Sequence, residues 1–179
     1  MEPKQSIIII GGTGFIGNAL TKALYTKDKI ELSIIYKNFL SQNKFPKVKY
    51  HQLDAAKQGK KLGEIISNTD CLIILSQPSK KLIENITGFG SKIKKIIYAS
   101  TLLLYPNSPQ KQDENSLLKP INDYEKSKFN EEQILSAYAK THNTKLCIVR
   151  LTNVYGDIKS RGIVQKIFSA ILNGQEFII

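Results

Sequence analysis

"IIIIGGTGFIGNAL", residues 7–20, runs four isoleucines into a glycine turn and then directly into a helix-like stretch. Gly11, Gly14 and Gly17 make a G-x-x-G-x-x-G triplet. With 11 glycines in 179 residues, such a triplet is expected by chance only about 0.04 times, so it carries weight. An apolar strand, a glycine turn and a helix start form a unit suited to holding a phosphate. One glycine allows the tight turn, the next lets backbone approach a pyrophosphate, and the third lets the helix pack closely on the strand. The free amides and the positive dipole end of the helix then face the anion. The Gly-Lys-Ser/Thr ending of a P-loop is absent. The loop residues Gly11, Thr13, Gly14, Phe15, Ile16 and Gly17 are therefore the expected contacts to a dinucleotide.

Outward from this loop, short apolar runs alternate with helix-like stretches. Strands are expected at 6–10, 31–36, 48–53, 71–75, 95–99 and 145–150, and helices near 15–26, 60–67, 123–141 and 163–172. Six short, nearly continuous apolar strands separated by helices predict an α/β fold, a doubly wound parallel sheet of Rossmann type covered on both faces. The helix from about 123 has Pro120 before it, and Asn122 or Asp123 is expected to cap it. Its apolar residues Phe129, Ile134, Leu135 and Tyr138 are expected to form one stripe.

Composition bounds the function. The length suits one domain with a real core, and no apolar run approaches the roughly 18 residues of a membrane span. The net charge is +11, yet the basic residues are 24 Lys and only Arg150 and Arg161. Nucleic-acid recognition leans on arginine forks and on clustering, and these lysines are scattered, so no dedicated nucleic-acid partner is expected. "MEPKQ" does not open like a secretory signal. Cys71 and Cys147 lie in apolar strand-like runs and read as buried reduced thiols, which with the rest predicts a cytoplasmic protein.

About 20 residues past the glycines, the second strand ends in Tyr36-Lys37-Asn38 with no carboxylate to read an adenosine ribose. Lys37 is suited to pair with a 2′-phosphate, so NADP is favoured over NAD; the alternative is that Lys37 points into water. A second candidate constellation is Tyr124 and Lys128, four residues apart. Eight Tyr and 24 Lys make about one such pair expected by chance, and there are three: Tyr25/Lys29, Tyr124/Lys128 and Tyr155/Lys159. Spacing alone selects none of them.

Taken in order, further segments resemble the extended short-chain dehydrogenase/reductase family of NAD(P)-dependent sugar epimerases, dehydratases and reductases. They are "GGTGFIG" (11–17), Asp54 after the third strand and "ILS" (74–76). They continue with "IIYASTLLLY" (96–105), "DENSLLKPINDYEKSKFNEE" (113–132) and "VRLTNVYG" (149–156). The resemblance covers nearly the whole chain and selects Tyr124/Lys128. It implies Thr101, Tyr124 and Lys128 as the catalytic set, with Asp54, Leu75, Ser76, Tyr124 and Lys128 added to the cofactor contacts. A tyrosine is ordinarily too weak an acid to serve as a base at neutral pH, and a neighbouring ammonium favours its phenolate. Tyr124 is then the general acid/base, Thr101 a donor to the reacting oxygen, and Lys128 also a holder of the nicotinamide ribose. The implied function is an oxidoreductase or epimerase acting on a nucleotide-linked sugar. The alternative is a catalytically silent NAD(P)-binding protein, a sensor or interaction module.

Three departures qualify the resemblance. Gln77 to Lys94 is short and holds Gly88 and Gly90 where relatives carry a long dimer-forming helix, which leaves the oligomeric state open. Leu102-Leu103 replaces the Asp-Glu pair of similar dehydratases, so dehydration is not expected. The sequence stops near the start of the family's substrate domain, with "EFII" (176–179) as an expected last strand. It is read as a single NAD(P)-binding domain, the cofactor half of a longer enzyme, a shortened relative or a truncation product.

Overall fold

Ile7, Ile8, Ile9 and Ile10 are all buried because their strand, β1 (Gln5–Ile10), lies inside the sheet. The computed structural model describes residues 3–38, 44–89, 92–156 and 163–175. The remaining elements follow in chain order. They are α1 (Phe15–Leu24), β2 (Ile30–Tyr36), β3 (Lys49–Gln52), α2 (Gly59–Ile66), β4 (Cys71–Ile74), α3 (Lys80–Phe89), β5 (Lys95–Thr101), α4 (Asp123–His142), β6 (Lys145–Leu151) and α5 (Ile163–Leu172). A short 3-10 turn, Leu102–Leu104, follows β5. The expected strand over 176–179 and Lys159 of the Tyr155/Lys159 pair lie outside the described residues.

The six strands form one sheet in the order β3-β2-β1-β4-β5-β6, and every pairing is parallel. The order reverses between β1 and β4, which places a crevice at their carboxyl ends, the usual ligand position in open α/β sheets. The doubly wound architecture read from the sequence is what the structure has. Residues alternating along the strands divide the core in two. On one face Ile8, Ile10, Leu72, Ile74, Ile96 and Tyr98 pack with α2, α3 and α4 through Leu62, Ile66, Ile83, Ile86, Leu135 and Tyr138. On the other, Ile7, Ile9, Leu32, Cys71 and Ile73 meet the half-buried Leu20, Leu24 and Tyr25 at α1.

Three expectations change. Cys71 is buried, but Cys147 is exposed. It lies on β6, last in the strand order, where Lys145, Cys147 and Val149 share an exposed face that no described residue of the α1-side core covers. The segment after β4 holds a ten-residue helix, α3, whose Leu82, Ile83 and Ile86 are buried. The buried stripe of α4 differs as well. Phe129 and Ile134 are only half-buried, and the first three turns bury Glu125, Lys128, Glu131 and Glu132 instead. The start of α4 obeys its local code: Asn122 Oδ1 accepts from Glu125 N at 2.9 Å while the Glu125 carboxylate accepts from Asn122 N, a complete capping box. Asn143 ends the helix in the left-handed region (φ 53°).

Among the described residues, no helix is long and apolar enough to cross a membrane. None of them form a His/Cys/Asp/Glu cluster able to hold a metal ion.

Candidate functional site

The glycine loop joins the carboxyl end of β1 to α1. Gly11 has φ +83°, and a Cβ there would lie 3.1–3.2 Å from the Leu75 and Ser76 backbone, so this glycine allows both the turn and the approach of β4. A Cβ on Gly17 would fall 2.3 Å from Gly11 O and 2.6 Å from Gly12 Cα, a contact with backbone that cannot move aside cheaply. Gly17→Ala is therefore expected to cost about 1–3 kcal/mol of stability, read from the shift in urea midpoint; an unchanged midpoint would contradict this packing role. Gly14 caps α1 without a side-chain hydrogen bond, and no acidic residue occupies the first turn. Helix geometry leaves the amides of Phe15, Ile16 and Gly17 without intrahelical acceptors, in a positive field.

Beside this helix start lies a cavity of about 310 Å³ at the switch point of the sheet. Gly11, Thr13, Lys37, Asp54 and Ser76 line it, together with the apolar Leu53 and Ala55. Lys37 does not simply point into water: its ammonium lies 3.1 Å from Asp54 Oδ2 across the ends of β2 and β3. The Lys37 ammonium and the Ala56 amide hold the Asp54 carboxyl below the usual carboxylate range. The two residues read from sequence as separate contacts are thus one ion pair. Leu75 extends the ladder, donating its N–H to Ile10 O at 2.9 Å.

The second group of predicted residues sits where β4 and β5 end. Lys128, only 3% exposed, reaches inward from α4 and donates to Ala99 O at 2.8 Å and Ser76 O at 3.4 Å. Its ammonium also lies over the Tyr98 ring, 4.6 Å from the centroid. Ser76 therefore belongs to both groups, lining the cavity and accepting from Lys128. Burial pushes the Lys128 ammonium down from the ordinary lysine range, while the carboxylates of Glu131 and Glu132 push it back up. Tyr124, one turn earlier, is 42% exposed. The shared helical face expected of this pair divides: the lysine goes to the sheet and the phenol to the surface.

Thr101 is buried at the end of β5, and its Oγ1 accepts from Leu103 N at 3.3 Å, starting the 3-10 turn. That bond uses a lone pair and leaves the hydroxyl proton outside it. Among the described residues, the neighbouring Ser100 Oγ is the buried side-chain oxygen that has no hydrogen-bond partner.

Sequence reasoning missed two charged assemblies that fix α4 here. Glu132 takes a bidentate fork from Arg150 of β6, at 3.2 Å from Nε and 2.9 Å from Nη2, while Nη1 donates to Tyr105 Oη at 2.5 Å. The Glu132 carboxylate holds Arg150 above the usual guanidinium range. Glu131 accepts from Tyr98 Oη and from Ser79 N. The signal was available in "KFNEEQI", where two adjacent glutamates fall on the inward stripe that Lys128, Leu135 and Tyr138 define.

The geometry fits the chemistry of a dinucleotide: a glycine turn with space beside it, uncapped helix amides, a half-apolar cavity and a cation at its rim. Comparison with known proteins points the same way. Residues 77–179 match the family model described as "NAD dependent epimerase/dehydratase family". The chain is 23% identical, over 96% of its length and 55% of the other protein, to an N-acetyl-alpha-D-glucosaminyl-diphospho-ditrans,octacis-undecaprenol 4-epimerase of Escherichia coli O157:H7. It is 27% identical, over 96% of its length and 49% of the other, to a dTDP-D-glucose 4,6-dehydratase of Dictyostelium discoideum. Among solved structures, UDP-N-acetylglucosamine 4-epimerase from Methanobrevibacter ruminantium M1 superposes with a TM-score of 0.80 at 24% identity, covering 99% of this chain and 66% of that one. That likeness shows the fold. The chain spans about half the length of these two curated relatives.

Proposed function

Because the chain belongs to the NAD dependent epimerase/dehydratase family, we propose that it binds NAD(P) and serves hydride-transfer chemistry on a nucleotide-linked sugar, as an epimerase or oxidoreductase. What carries the reading is Lys128: its bonds to Ser76 O and Ala99 O tie the helix of Tyr124 to the wall of the dinucleotide cavity. Gly11, Thr13, Gly14, Phe15, Ile16 and Gly17 would hold the pyrophosphate, Lys37 and Asp54 the adenosine end, and Leu75 and Ser76 the middle. When bound, NAD(P) supplies a hydride acceptor, and in return a donor, for a carbinol carbon of the sugar.

The protein's own residues handle the proton. Tyr124 takes it at Oη from the sugar hydroxyl as that carbon is oxidised, and returns it to the same oxygen when the carbon is reduced again, on the same face for an oxidoreductase or on the opposite face for an epimerase. Thr101 donates its remaining hydroxyl proton to that oxygen and holds it in reach. Lys128, one helical turn from Tyr124, would supply positive charge to the site from a dry position, where water screens it little. The exposure of the Tyr124 phenol supports its acid/base role, since a ligand can reach it from outside the sheet. Leu102 and Leu103, both exposed, stand after Thr101 with no acid between them, which supports epimerisation or reduction over dehydration.

NADP is the preferred form in this proposal, because the rim cation Lys37 has no carboxylate on its own strand end to repel a 2′-phosphate. Asp54 opposes part of that charge, and Lys37 is well exposed. The preference is therefore expected to be modest, at most about fivefold, the worth of one exposed ion pair. Titrating NADPH and NADH into the protein by quenching of tyrosine fluorescence tests it. NADPH should bind more tightly and Lys37→Ala should equalise the two; tighter NADH binding overturns the preference, and binding of neither overturns the cofactor reading.

A further inference from the structure

We propose that Glu131 is a positioning residue that ties the loop between β4 and α3 to α4 and holds the Lys128 ammonium in place beneath the candidate active centre. Its effect on cofactor binding rests on the dinucleotide reading above; its effect on Lys128 does not.

Glu131 is 2% exposed and sits between two donors. Oε2 accepts from the hydroxyl of Tyr98, itself buried in β5, and Oε1 accepts from the backbone N–H of Ser79. Ser79 opens α3: its Oγ accepts from Leu82 N at 3.3 Å and its carbonyl from Ile83 N at 3.2 Å. The Glu131 carboxylate thus satisfies an amide at a helix start, where a negative charge is favoured. Three residues earlier on α4, Lys128 holds Ser76 O. Two charges on one helix face therefore grip the same four-residue stretch of this loop at both ends, by its carbonyl at Ser76 and its amide at Ser79. Ser76, Gln77, Pro78 and Ser79 all line the dinucleotide cavity.

The charge of Glu131 matters as much as its reach. A buried ammonium is costly unless a counter-charge lies in the same dry layer. Among the described residues, the carboxylates whose charge acts on the Lys128 ammonium are those of Glu131 and Glu132 on the same helix, the Tyr98 ring of β5 lies against it, and Tyr124 stands one turn earlier on α4. Glu132 is already committed to the Arg150 fork, which also holds Tyr105. Lys80 and Lys81 at the start of α3 pair with Glu84 on the surface. Burial and the glutamate push the Tyr98 phenol far above its usual range, so it stays a neutral donor. Among the described residues, Glu131 and Glu132 are the carboxylates whose charge acts on Lys128, and of these Glu131 is the one with hydrogen bonds only from neutral donors. Its bonds fix the anion, and the anion compensates the lysine.

Glu131→Gln tests this, because it keeps the volume and removes the charge. Two readouts are needed in the full chain: the titration of the Lys128 ¹³Cε resonance, identified by its loss in Lys128→Arg, and the NADPH dissociation constant between pH 6 and 10. In Glu131→Gln the Lys128 midpoint is expected to fall by one unit or more, a tenfold loss of proton affinity. NADPH binding should weaken at neutral pH and fall off at a correspondingly lower pH than in the wild type. A Lys128 midpoint identical in the two proteins overturns the inference. If the wild type binds neither NADPH nor NADH, the cofactor reading fails, while the midpoint comparison still decides the role of Glu131. Should Glu131→Gln not fold, Glu131→Asp takes its place. It keeps the charge and shortens the reach, so the midpoint should stay within half a unit while NADPH binding weakens; undiminished binding with that variant overturns the inference.

Discussion

Replacing Arg150 with Met is expected to destabilise the protein by about 3–5 kcal/mol, the usual cost of leaving one member of a buried ion pair behind. Glu132 is 2% exposed at its side chain and Arg150 18%, so removal of the guanidinium strands a carboxylate that water cannot reach. The fork is bidentate, and the same guanidinium lies over the Tyr105 ring, 5.1 Å from its centroid, so its removal costs both charge-assisted bonds and this contact. A double variant, Arg150→Met with Glu132→Leu, is expected to recover most of the loss, because two apolar side chains need neither charge nor partner. Urea unfolding at neutral pH measures all four corners of the cycle. If the double variant is as unstable as the single one, packing rather than charge accounts for the site. The functional consequence follows from position: this fork fixes α4 to β6, and α4 carries Tyr124 and Lys128.

Replacing Tyr124 with Phe is expected to lower turnover of a nucleotide sugar by a factor of about 10²–10⁴, the usual contribution of a positioned acid/base. Affinity for NADPH should change less than about twofold. Tyr124 is exposed, so losing one hydroxyl costs the fold little. Single-turnover kinetics with a UDP- or dTDP-sugar and a parallel NADPH titration separate the two effects. Equal turnover in the two proteins removes Tyr124 from the chemistry. A wild type that binds NADPH and turns over no sugar selects the silent NAD(P)-binding alternative.

The fold was legible because its code is local. Each buried strand announced itself as an apolar run, and parallel strands buried on both faces give the least ambiguous runs. The glycine turn was legible for a similar reason: a turn at φ +83° at Gly11 and a 2.3 Å approach at Gly17 tolerate no other residue easily. The start of α4 was read correctly to within one residue, since capping by Asn122 depends on neighbours three positions away. The edge was not legible. "KLCIVR" reads as a buried strand, yet Cys147 is exposed, because among the described residues nothing covers its face of β6, the last strand of the sheet order.

The candidate site divides along the same line. Residue types and order along the chain determined the glycine loop, the parallel sheet and the choice of Thr101, Tyr124 and Lys128 as a set. The loop and the sheet follow from backbone sterics and hydrophobic periodicity, which a linear chain displays, whereas the set of three was chosen by the ordered resemblance to a family, since spacing alone selects none of the Tyr/Lys pairs. Only the tertiary structure decided that Lys37 belongs to Asp54, 17 positions away, that Arg150 belongs to Glu132, and that Glu131 reaches Ser79 and Tyr98. Charge pairing in a low-dielectric interior depends on distance in space and on exclusion of water, and both arise when the strands and α4 come together.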